Sequence, residues 1–254
     1  MGEPQSWVLL RGLGREARHW GPFIDRFKAA FPERSLELLD LPGAGEAHSE
    51  AVPMSMEGMA EYMNRKLKCS GPVGVVGLSF GGMVALEWAA RYPLRVSHVV
   101  LVNSSAKDET PWHHRLQGGA VKVLSQVFAL KSEREREEKI LRLVSRTADQ
   151  QNEVLQLWVR IAKERSFSRA TFLRHLWVAN RFKLPSFKMA RPKILCLAGM
   201  GDAMVDPSCS QKLSVALNAD VHFHPWAGHE LTLDDPTWVL THIQEWVEAT
   251  PLRS

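Results

Sequence analysis

No run of about 18 apolar residues occurs along the 254-residue chain, so no membrane-spanning helix is expected. Cysteine is scarce. Cys69, Cys196 and Cys209 stand far apart and are odd in number, which excludes a disulfide framework and offers no zinc-ligand spacing. A reducing cytoplasm is the expected setting. The N-terminus lacks a basic segment followed by an apolar one, so no secretory signal is read there. Met1-Gly2-Glu3-Pro4-Gln5-Ser6 fits the loose N-myristoylation pattern, but that pattern fixes few positions and no polybasic patch follows, so chance accounts for it. Internal repeats and low-complexity segments are absent. The net charge of +4 is mild but unevenly spread. Between Arg160 and Lys183 seven Lys/Arg face a single acid, Glu164. No nucleic-acid reader motif accompanies that basic stretch.

What is present centres on Val73-Gly-Val-Val-Gly77-Leu-Ser79-Phe-Gly81-Gly82-Met83. Val73 to Val76 is a β-branched run of the kind found in buried strands. Met83 to Tyr92 is helical, with Met83, Leu86 and Ala90 on one face. A strand that becomes a helix within a few residues bends sharply. The serine at the apex is strained, and its neighbours two positions away must be small. Gly77 and Gly81 meet that need. A bare G-x-S-x-G arises by chance in many proteins, but between a strand and a helix it reads as a nucleophile elbow.

The other strands are Trp7–Leu10, Leu36–Asp40, Ser97–Asn103, Ile194–Ala198 and Ala219–His224. Helices are expected near 22–30, 54–67, 209–216 and 237–249. The methionine stripe Met56, Met59, Met63 reads as core filler. Alternating strands and helices predict an α/β fold with a parallel sheet of about six strands. The alternation stops after Ala106 and resumes at Ala190. This predicts a core of residues 1–106 and 190–254 with a helical cap, 107–189, over the sheet's C-terminal edge, where open α/β sheets bind ligands.

A serine hydroxyl needs a base, and the base needs an orienting acid. In a fold with this elbow they follow in the order Ser, Asp or Glu, His. Asp202 follows a glycine-rich turn beyond the Ile194 strand. His229 lies in the loop after the Val221 strand and before the last helix. Among ten histidines only His229 has both the right order and the right loop; His222 and His224 alternate on a strand, and His113 and His114 lie in the cap. Asp206, just before Pro207, reads as a helix-start acid. Catalytic Ser79, Asp202 and His229 are therefore expected, with backbone N–H groups of Leu13 and Phe80 as the oxyanion hole. Arg11, His19, Trp20, Trp112 and Trp158 are candidate substrate contacts. The cap aromatics, Phe167, Phe172 and Trp177 among them, equally suit the cap's own core. No metal site is expected.

These motifs, with Asp40-Leu-Pro-Gly43, Gly201-Asp202 and Gly228-His229, resemble the α/β-hydrolase superfamily over nearly the whole length. The likeness is strongest to small capped carboxylesterases, such as the esterase that demethylates a pimeloyl-carrier-protein ester in biotin synthesis. The resemblance implies a helical cap, no cofactor, and Ser-His-Asp acyl transfer from an ester or thioester to water. It also implies cap arginines that meet an acyl carrier protein. Arg160, Lys163, Arg165, Arg169, Arg174 and Arg181 are compatible with that, although a solvated helix face is the plainer reading. The same triad serves carbon–carbon bond hydrolases, and a non-catalytic receptor is a further alternative. A dehalogenase would carry an aspartate in place of Ser79. Two departures stand out. Arg11-Gly12 replaces the usual His-Gly, which either alters the loop's hydrogen bonds or offers a charge near the pocket. Only six residues precede the first strand, so the superfamily's opening hairpin is not expected and the sheet should be wholly parallel.

Overall fold

The computed structural model describes residues 4–165 and 167–249; the first residues of the myristoylation-like pattern lie outside them. Six strands form one sheet: β1 (Ser6–Leu10), β2 (Ser35–Leu39), β3 (Val73–Leu78), β4 (Val96–Val102), β5 (Lys193–Gly199) and β6 (Asp220–His224). Their order is β2-β1-β3-β4-β5-β6 and every pairing is parallel. The central β3 and β4 are buried along their whole length, as strands covered on both faces should be, although β4 also buries Ser97 and His98.

Side chains alternate across the sheet with a period of two. Val8, Leu10, Val73, Val75, Val99 and Leu101 point to one layer. There they meet α2 (Met56–Lys66), α3 (Phe80–Arg91) and α9 (Ser208–Ala216). The methionine stripe Met56, Met59, Met63 is buried in this layer. Trp7, Leu9, Val76, Leu78, Val100 and Val102 point to the other, against α1 (Phe23–Ala30) and α11 (Pro236–Glu248).

Among the described residues between β4 and β5 the regular elements are helices, chiefly α4 (Trp112–Arg115), α5 (Gly118–Val127), α6 (Glu133–Val144), α7 (Asn152–Glu164) and α8 (Arg169–Arg181). This insertion has its own apolar cluster, with Leu141, Val144, Leu155 and Trp158 buried together. Ser132 and Ser168 cap α6 and α8 by accepting N–H bonds from the first turn.

β1 is followed in the sheet by β2 on one side and β3 on the other. The loops leaving β1 and β3 therefore diverge, and the crevice between them is where this architecture binds ligands.

Candidate active site

Ser79 stands between β3 and α3 with φ 54° and ψ −115°. An L-residue adopts this conformation at a cost of about 1–3 kcal/mol, and it persists because the surroundings impose it. Ser79 N–H donates to the Val102 carbonyl at 2.8 Å, and its carbonyl accepts from the Ser104 hydroxyl at 2.9 Å. The flanking glycines are required by contact. A Cβ on Gly77 would come within 2.5 Å of the Gly82 nitrogen, and one on Gly81 would run into the Leu10 carbonyl oxygen.

His229 and Asp202 come from separate loops at the same sheet edge. His229 Nδ1–H donates to Asp202 Oδ2 at 2.7 Å. The other carboxylate oxygen accepts the N–H groups of Met204, at 2.7 Å, and Val205, at 3.0 Å, so the Asp202 carboxylate is fixed at both ends. With Nδ1 committed as donor, the neutral ring offers its Nε2 lone pair as acceptor. Burial disfavours the imidazolium, but the Asp202 charge and hydrogen bond, with Glu230, outweigh it and raise the His229 pKa above 6.5.

Ser79 and His229 line one cavity of about 170 Å³, together with Gly12 and Leu13 from the loop after β1. The insertion supplies Leu124, Val127, Phe128, Ile140, Val144, Ala162, Phe167 and Phe172 to the same walls, so the lining is largely apolar. Besides His229, the charged or titratable side chains in its lining are Arg15, Glu133, Arg136, Glu137, Arg169 and Glu230. Phe80 is the first residue of α3, where helix N–H groups have no intrahelical partner. Its ring is buried against His175, centroids 5.2 Å apart. A larger open groove of about 900 Å³ between α2, α3 and the segment after α8 contains none of these residues.

The five expected substrate contacts lie elsewhere, each for a physical reason. Arg11 is 2% exposed and forms a two-point ion pair with Glu230. Trp20 packs on Phe23 and under the Arg11 guanidinium. His19 is buried, with Nδ1 against the Glu16 backbone, and lines a smaller neighbouring cleft. Burial first, then the charges of Arg15 and Arg11, hold its pKa well below 6.5. Trp158 sits in the insertion's core with the Arg15 guanidinium 4.1 Å from its ring centroid. Trp112 is 66% exposed on α4. Of the aromatics left open, Phe167 and Phe172 line the cavity, whereas Trp177 is exposed under Arg181. Asp206 accepts the Ser208 N–H at 2.9 Å at the start of α9.

Sequence reasoning missed three residues that hold the histidine loop. Asn103, at φ 49°, donates to the Gly228 and His229 carbonyls at 3.1 and 2.9 Å and accepts the Gly199 N–H at 3.0 Å. Asp234, in the short α10 (Leu231–Asp234), accepts the Gly228 N–H at 2.7 Å and also binds Ser145, Arg146 and Thr147 beyond α6. Glu230 is the third. The one available signal was an asparagine at a strand end, since Asn tolerates positive φ; apart from the Asp234–Gly228 contact, six positions apart, the contacts join residues roughly ninety or more positions apart.

A family model described as the alpha/beta hydrolase family matches residues 7–241. The chain belongs to the alpha/beta hydrolase family. Among curated proteins it is 32% identical over 130 residues to a pimeloyl-acyl-carrier-protein methyl ester esterase of Chromobacterium violaceum, covering 50% of this chain and 48% of that one. It is also 32% identical over 109 residues to a poly(3-hydroxyalkanoate) depolymerase of Ectopseudomonas oleovorans, covering 41% and 38%. The chain spans about half the length, or less, of the curated relatives it matches. Among solved structures, an alpha/beta hydrolase from a Medee basin deep-sea metagenome aligns with a TM-score of 0.75 at 20% identity, over 99% of this chain and 92% of that one. A meta-cleavage product hydrolase of Pseudomonas fluorescens aligns with a TM-score of 0.75 at 20% identity, over 98% and 93%. These alpha/beta hydrolase neighbours share the fold. No helix among the described residues is long and apolar enough to cross a membrane. No group of three or more metal-ligating side chains occurs among them.

Proposed function

We propose that this hydrolase is a serine esterase or thioesterase working through an acyl-enzyme. The observation that carries the reading is the Asp202–His229 hydrogen bond beside a strained elbow serine, with Ser79 and His229 on one apolar cavity. Ser79 Oγ attacks the acyl carbonyl and its proton passes to His229 Nε2. Asp202 keeps Nδ1–H in place and stabilises the imidazolium. The N–H groups of Leu13 and Phe80 donate to the oxyanion. The alcohol or thiol leaves with the proton from His229. Water, deprotonated by the same imidazole, then releases the acid and restores Ser79.

The helical insertion acts as the cap, and its apolar lining suits an acyl chain. Ester chemistry is favoured over carbon–carbon cleavage because the curated relatives named above carry ester-cleaving names, whereas the carbon–carbon hydrolase likeness is one of fold. A carrier-borne substrate is compatible with the exposed Arg160, Lys163 and Arg174 on α7 and α8.

The test is covalent labelling with a fluorophosphonate and turnover of short p-nitrophenyl esters. Ser79→Ala is expected to abolish the label and to lower kcat on the order of 10⁴-fold or more. Full activity in that variant removes Ser79 as nucleophile.

A further inference from the structure

One further role lies beside the cavity, and it rests on the serine-hydrolase reading above. Arg11 and Glu230 are 219 positions apart in sequence, yet their side chains are joined by two hydrogen bonds, Nη1 to Oε2 at 2.9 Å and Nη2 to Oε1. The pair is almost wholly buried, at 2% and 4% side-chain exposure. Arg11 lies two residues before Leu13, and Glu230 directly follows His229. We propose that the Arg11–Glu230 ion pair is a positioning element, clamping the loop that carries the Leu13 N–H donor to the loop that carries the His229 base.

Stability alone is a poor explanation for such a pair. Taking two charges out of water offsets most of their mutual attraction, and apolar residues of the same volume commonly do as well. A planar guanidinium gripping a carboxylate at two points fixes both distance and orientation, which a single-point contact does not. The surroundings hold the fork in place. The Arg11 guanidinium lies 4.8 Å from the Trp20 ring centroid. Glu230 N–H donates to the Val144 carbonyl at 2.8 Å, so the clamp also reaches the insertion.

The charge states agree with the geometry. Burial pushes the Glu230 pKa up, but the Arg11 charge and hydrogen bonds, with Arg15 and His229, bring it below the usual carboxylate value. Glu230 is therefore an anion beside His229. The charged groups that bear on that imidazole are Asp202 and Glu230, which favour its protonation, and Arg11, which opposes it.

The experiment compares wild type, Arg11→Lys and Glu230→Gln on a p-nitrophenyl ester across pH, with folding followed by circular dichroism. Arg11→Lys keeps the charge and loses the fork. It is expected to lower kcat about tenfold or more with little change in KM, and to leave the acidic limb of the pH profile in place. Glu230→Gln removes an anion and leaves the guanidinium without its counter-charge and second acceptor, so kcat falls and that limb moves to lower pH. Folded variants with wild-type kcat and limb overturn the positioning role, and so does loss of folding in both, which marks the pair as structural. If only Glu230→Gln fails to fold, Arg11→Lys decides. A wild-type protein that no fluorophosphonate labels refutes the serine-nucleophile reading itself, a result distinct from unaltered variants of a labelled enzyme.

Discussion

In the proposed mechanism the general base works only when neutral, so the proton affinity of His229 would set where catalysis turns on. Its pKa lies above 6.5 because Asp202 and Glu230 outweigh the burial that disfavours the imidazolium. The expected pH profile of kcat/KM therefore rises through an acidic limb centred above 6.5, and Asp202→Asn moves that limb down; a limb centred below 6.5 in the wild type contradicts the assignment. Asn103 is the second residue whose loss is informative. Asn103→Ala strands the Gly228 and His229 carbonyls and the Gly199 N–H in a buried setting. Unsatisfied buried groups are costly, so a loss of about 3 kcal/mol is expected from urea unfolding. Asp202 and His229 could be singled out along the chain because order and loop position constrain a candidate acid and base, and their side chains are hydrogen-bonded. Asn103 could not, since its value depends on carbonyls more than a hundred positions away.

At the scale of elements, the strands were readable because a buried parallel strand needs a continuous apolar run, and Val73–Val76 and Ile194–Ala198 are such runs. The elbow was readable for the same local reason: a strand, a bend and a helix in ten residues demand glycine on either side of Ser79. The four-residue α10 escaped notice because so short a helix has no periodicity to display. Yet α10 carries Asp234, which ties the Gly228 N–H to the turn after α6. Asp234→Ala should free both segments together. Hydrogen exchange of amides 228–231 and 145–147 is the measurement, and faster exchange in one segment without the other would mean that they are not coupled through this carboxylate.

For the whole molecule, three buried histidines, His19, His98 and His175, resist protonation and make the fold sensitive to acid. His98 and His175 each have a pKa lowered to about 4, chiefly by burial. A histidine that resists protonation when folded stabilises fully above its unfolded pKa near 6.5, and that contribution is lost as pH falls toward 4. His229 has the opposite sign, contributing at low pH and losing its contribution as pH rises through its raised pKa. His19 and His222 are shifted in the same direction as His98 and His175, so the urea midpoint is expected to fall between pH 6.5 and 4, with about 2–3 kcal/mol from each of His98 and His175. His98→Phe should flatten the fall, and an unchanged slope would locate the acid sensitivity elsewhere. The residues selected in advance as substrate contacts show where reading along the chain ends. Arg11 and Trp158 lie on the expected segments, but packing turned one into an ion-pair partner and the other into the insertion's core. The linear order of residues determined the alternating elements and the glycine-flanked bend at Ser79, and it singled out Asp202 and His229 as candidates, because each depends on periodicity, chain order or neighbours within a few positions. Only the tertiary structure decided which side chains face the cavity and which hold its loops, because those contacts join distant segments through burial and charge pairing that no local pattern encodes.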